Sequence, residues 1–117
     1  MPVDASEEGS DLVRITLKGR MAPADHAALL YFVTKAIARA GRVRLLVVLD
    51  GFDGWTGGEE WNDDALRLAN DAPVGKTAIV GEERWKDEVF AFVSQPFRKT
   101  PIEWFTSEAA ARTWLAG

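Results

Sequence analysis

A chain of 117 residues, 47% apolar and 27% charged, has the size and balance of one globular domain with a self-sufficient core. Its net charge of −4 argues against nucleic acid as a partner, since phosphate backbones are met by a basic excess. With no cysteine, disulfides, a thiolate nucleophile and thiolate metal sites are excluded, and a reducing, cytoplasmic setting is the expectation.

The first ten residues read as a polar tail, with a short edge strand near Val3; they are acidic and lack the apolar stretch of a signal peptide. Residues 12–18 alternate, with Val13, Ile15 and Leu17 on one face and Arg14, Thr16 and Lys18 on the other, the pattern of a half-buried strand that Gly19 ends. Pro23 suits a first helical turn, and a helix follows over 23–40 with Leu29, Leu30, Val33, Ile37 and Ala40 on its apolar face and Gly41 as its stop. Residues 43–49, VRLLVVL, are apolar on both faces, which predicts the central strand; the run from Leu45 to Leu49 is too short to span a bilayer. A helix is expected at about 58–70 around Trp61, Ala65 and Leu68, and a strand at 76–80. Another helix is expected at 83–95, with Trp85, Val89, Phe92 and Val93 on one stripe and Phe90 off it. The last strand is placed at 102–106 and a final helix after Ser107, a good N-cap. This alternation predicts a single α/β domain whose mixed, mostly parallel sheet has four to five strands and four helices, with right-handed crossovers.

The stretch between the central strand and the next helix, DGFDGWTGGEEW, concentrates the chemistry. Asp50, Asp53, Glu59, Glu60, Asp63 and Asp64 could suggest a hard cation. Counting from Asp50, however, Phe52, Gly54 and Trp61 fall where a calcium loop needs ligands, and Glu59 and Glu60 suit the first turn of a helix on dipole grounds alone. No metal is assigned. A phosphate loop is disfavoured because Glu59 and Glu60, like Glu82 and Glu83 at the next strand–helix junction, would occupy the anion's place; no dinucleotide or Walker pattern occurs. No cofactor is expected. His26 is the only histidine, no serine lies between Ser10 and Ser94, and no nucleophile has a base beside it, so no catalytic residue and no enzymatic activity are expected.

Four tryptophans, Trp61, Trp85, Trp104 and Trp114, fall on helix stripes or a strand, where packing is the default. Trp55 does not: it sits among Gly51, Gly54, Gly57 and Gly58. Those glycines suggest a hinged lid over 51–61. Its Phe52, Trp55 and Trp61 would line an apolar cleft closed by Phe90 or Phe97. The alternative is a structural plug in which the same rings collapse on the core.

Read together, Gly19, VRLLVVLD at 43–50, the F-x-G-W of Phe52, Gly54 and Trp55, Trp61 with Asp63, AIVG at 78–81, Trp85, Pro96–Phe97, Phe105, and the A-x-x-W-L of Ala111, Trp114 and Leu115 resemble the SpoIIAA-like family. Those are STAS-like relatives of anti-sigma-factor antagonists. The resemblance covers about residues 12–115 and implies a βα superhelix packed mostly on one side of its sheet, with a fold similar to CRAL-TRIO lipid-carrying domains. It implies either a domain that binds an apolar ligand or a membrane surface, or a regulatory adaptor that binds a protein partner. The family's phosphorylation switches carry a serine after the central strand; here Thr56 is the only hydroxyl in the loop that runs from Asp50. A homodimer, if formed, should use apolar surface, because one sheet face is weakly covered in such an architecture.

Overall fold

The computed structural model describes residues 3–9, 11–56, 74–92 and 101–117, with the backbone alone for 90–92. In chain order these give β1 (Val3–Glu8), β2 (Leu12–Met21), α1 (Pro23–Ala40), β3 (Val43–Trp55), β4 (Val74–Val80) and a 3-10 turn (Glu83–Trp85). Then come α2 (Lys86–Phe92), β5 (Ile102–Phe105) and α3 (Glu108–Ala116). The strands lie side by side in the order β1-β2-β3-β4-β5. β1 runs antiparallel to β2, and the other pairs are parallel. The protein is therefore an α/β domain with a mixed five-stranded sheet, and β3, the strand apolar on both faces, is central.

Three α-helices fall among the described residues; the helix expected at 58–70 lies outside them. The helix expected at 83–95 begins as a 3-10 turn and is helical to Phe92, its remainder lying outside the described residues. The supposed N-terminal tail is largely strand, since all of β1 pairs with β2 from Val3↔Leu17 to Glu8↔Leu12. No helix among the described residues is long and apolar enough to cross a membrane.

α1 has the bounds its pattern predicts. Pro23 occupies the first turn, where its missing N–H is no loss, and the Asp25 carboxylate accepts the Ala22 N–H at 2.9 Å. Gly41, at φ 86°, turns the chain out of the helix while its N–H donates to the Ile37 carbonyl at 2.7 Å.

The two sheet faces carry different layers. On the first, Val13, Ile15 and Leu17 of β2, Val43 of β3, Ile79 of β4 and Ile102 of β5 meet Val33 and Ala36 of α1 and Val89 of α2. On the second, Leu46, Ala78 and Val80 meet Ala111 and Leu115 of α3, with Phe105 and Trp114 beside them. The β1–β2 side of this second face is polar. Arg14 grips Glu108 with Nε at 3.2 Å and Nη2 at 3.1 Å, and Arg112 grips Glu8 at 2.9 and 3.1 Å. Arg112 Nε also donates to Glu108 at 3.0 Å, and Arg14 Nη1 donates to the Thr16 hydroxyl at 2.9 Å. Thr16 is consequently buried, although its strand pattern predicts a solvated position. The hydrogen bond from Arg112 lowers the pKa of Glu8, and that from Arg14 lowers the pKa of Glu108; both arginines are pushed up in return.

Candidate functional site

The carboxyl ends of the strands hold the residues singled out as lid and cleft. Residues 51–55 are not a loop: they continue β3 beside the end of β2. Between the pairs Leu17↔Leu49, Gly19↔Phe52 and Met21↔Trp55, β3 advances three residues for each two of β2. Each step thus holds one extra residue, a bulge. Gly51 and Gly54 take φ of 70° and 98° at these steps, which side chains rarely adopt. Gly51 and Gly54, two of the glycines that suggest a hinge, therefore bend a strand; Gly57 and Gly58 lie outside the described residues. Beyond it, the Thr56 N–H still donates to the Met21 carbonyl at 3.0 Å.

The bend turns Phe52 inward. It is 5% exposed, with its ring centre 5.2 Å from Trp55 and 5.1 Å from Trp85, both edge to face. Trp55 and Trp85 meet edge to face as well, at 6.3 Å. Such arrangements put the positive edge of one ring on the negative face of the next. A Cβ on Gly54 would lie 3.6 Å from Cη2 of Trp85, so the bulged backbone itself forms one wall of the cluster.

Around these rings the surface is acidic and open. Asp50 and Glu83 are exposed. The side chains of Asp53 and Glu82 are 67% and 73% exposed in pairs with Arg20 at 3.7 Å and Arg84 at 3.6 Å. Arg84 also lies over the Trp85 ring, 5.1 Å from its centre. Exposed pairs of this kind hold little energy and leave their carboxylates available to a partner. Among the described residues no group of three or more histidines or acids is placed to hold a metal.

Of the five expected lid and cleft residues, the structure brings Phe52 and Trp55 together. Trp61, Phe97 and the Phe90 side chain lie outside what is described. Trp85 is the third ring of the cluster, although its helical stripe assigns it to ordinary packing. Its signal was positional: it follows the carboxyl end of the strand next to β3, the same end as Phe52. His26 sits half-buried in the first turns of α1.

A family model described as SpoIIAA-like matches residues 12–116. An uncharacterised protein from Shewanella loihica PV-4 with a SpoIIAA-like fold is similar in structure, with a TM-score of 0.72 at 19% identity over 97% of this chain and 91% of that one. The anti-sigma factor antagonist SpoIIAA in its unphosphorylated form superposes with a TM-score of 0.67 at 14% identity, covering 98% of each chain. No curated protein matches the sequence.

Proposed function

The chain belongs to the SpoIIAA-like family, and from that premise we propose that it is a non-enzymatic interaction domain, a regulatory adaptor that offers the carboxyl end of its sheet to a basic protein partner. The observation that carries this reading is the placement of Phe52. Its ring is spent on Trp55 and Trp85, whereas Asp50, Asp53, Glu82 and Glu83 around it stay in solvent. An acidic rim over a rigid aromatic base steers a basic partner and keeps its own shape. The antagonist similar in structure is named in its unphosphorylated form; in this chain Thr56 is the first hydroxyl after the central strand, so the reading calls on no phosphoserine in that segment.

The test is capture from lysate of the source cells by the protein and by its Asp50→Lys/Asp53→Lys/Glu82→Lys variant. One protein held by the first and lost by the second, with unchanged circular dichroism, supports the adaptor. Tryptophan fluorescence during fatty-acid titration supplies the contrary result. Saturable micromolar binding that disappears in Trp55→Ala would replace the adaptor with the apolar-ligand reading.

A further inference from the structure

At the opposite end of the sheet, where the parallel strands begin and α3 ends, lies an open depression of about 420 Å³. Arg42, Arg44, Lys76 and the carboxylate of Asp11 line it, with Leu115 and Ala116 of α3 among its apolar residues. Its volume is that of a small-molecule site. We propose that this depression binds a phosphate monoester.

The argument is an inventory of donors. Arg44 spends Nη1 on the Leu115 carbonyl at 2.7 Å and Nη2 on Asp11 at 2.8 Å, while its buried Nε has no partner among the described residues. Lys76 spends one N–H on the Trp114 carbonyl at 3.0 Å and rests 4.9 Å from the Trp114 ring centre. Its other two N–H groups remain. These two cations thus hold the last carbonyls of α3, a sufficient structural reason for their presence. Arg42 has no such reason. It is exposed in the turn between α1 and β3, and no carboxylate pairs with it among the described residues. It lies on the backbone of Gly75, where an added Cβ would come 3.3 Å from its Nε. A guanidinium next to glycine, in the same depression as an ammonium with unused donors, is a cationic surplus in a concave place.

The shape of the surplus selects the anion. A planar carboxylate is matched by one guanidinium fork. Here the unspent donors come from two separate segments, the guanidinium of Arg42 in the α1–β3 turn and the ammonium of Lys76 in β4. A fork and a point charge on separate side chains suit an anion with more than two acceptor oxygens and two charges, as a phosphate monoester has. Ala116, exposed among the lining residues, offers contact to a short apolar body on the phosphate, so an ester should bind better than the free ion.

The experiment is a backbone amide NMR titration of the full chain with sodium phosphate and with phenyl phosphate, against sodium chloride of equal ionic strength. Saturable shifts centred on Arg42, Gly75 and Lys76 are expected, tighter for the phenyl ester. Arg42→Ala should weaken them about tenfold, and Glu83→Gln, at the far end, should leave them unchanged. Arg42 is exposed, so its replacement keeps the fold. Co-sedimentation with phosphatidic acid vesicles, against phosphatidylcholine vesicles, identifies the source of the phosphoryl group. Arg42-dependent pelleting assigns a lipid headgroup, and soluble binding alone assigns a free monoester. No Arg42-dependent response to either form overturns the proposal.

Discussion

The two faces of the sheet are closed by different physics. The first face is aliphatic along β2, β3, β4 and β5 and is covered by α1 and α2, with Val13 at 1% and Ile15 at 0% exposure. The second has a small apolar centre under α3 and, beside it, the four-membered ionic cluster of Glu8, Arg14, Glu108 and Arg112. Hydrophobic burial scales with area and is insensitive to pH. Half-exposed ion pairs contribute modestly and depend on both partners being charged. The first face should therefore set the stability of the domain, and the second should set where α3 sits and how the fold responds to acid.

The largest expected effect tests the first half of that contrast. Ile15→Ala removes three carbons from a wholly buried position in the larger cluster and should cost about 3–4 kcal/mol in urea unfolding. Leu115→Ala on the second face removes a comparable volume at 2% exposure. It lies, however, in the last turn of a nine-residue helix that can shift to close the gap. About 2 kcal/mol is expected there. Equal costs would show that the second face is as firmly packed as the first.

The contrast also explains what was legible in the sequence. The first face was readable because it is local and periodic: alternation in 12–18 and the stripe of 23–40 name Val13, Ile15 and Val33 directly. The ionic cluster was not, because its pairs join residues 94 and 104 positions apart. Strand alternation shows that Arg14 faces away from the aliphatic core; nothing local shows that α3 returns to meet it. The candidate site was legible in another way: Phe52 and Trp55 do come together, but the backbone that holds them was not readable. Gly51 and Gly54 indicate unusual backbone but not its kind, and a bulged strand needs the same φ as a loop. The distinction rests on Gly19↔Phe52 and Met21↔Trp55, pairings between segments that single-strand patterns do not relate. The amino-end depression was similarly hidden, since Arg42, Lys76 and Leu115 meet only through the crossovers.

A second prediction concerns acid. Glu8 and Glu108 have folded-state pKa values below their ordinary ones, because hydrogen bonds from Arg112 and Arg14 favour their ionised forms. A group depressed in the folded state adds stability above its unfolded pKa, roughly 4.3 for glutamate, and loses it as pH falls through that range. The Glu8→Gln/Glu108→Gln variant should be about 1 kcal/mol less stable at pH 7 and should lose less further stability between roughly pH 5 and 3 than the parent. Parallel stability curves for the two proteins over that range would mean that the cluster contributes nothing to the acid response.

The smallest effect is the sharpest probe of why the second face is polar. Thr16 is 8% exposed, and its hydroxyl accepts from Arg14 Nη1 at 2.9 Å. Thr16→Val keeps the β-branched shape that suits a strand and removes only the oxygen. Arg14 would keep its two bonds to Glu108 and, with 30% of its side chain exposed, could give the freed N–H to water. The lost hydrogen bond and the gained apolar burial should then nearly cancel, leaving stability within about 0.5 kcal/mol of the parent. What should change is the placement of Arg14, and with it α3. Amide hydrogen exchange in Glu108–Ala116 should quicken while that of β2 and β3 holds. If the variant instead loses 2 kcal/mol or more, a threshold set by the cost of an unsatisfied buried donor, Arg14 has no access to water. In that case the ionic cluster is a buried network, and the second face is held as tightly as the first.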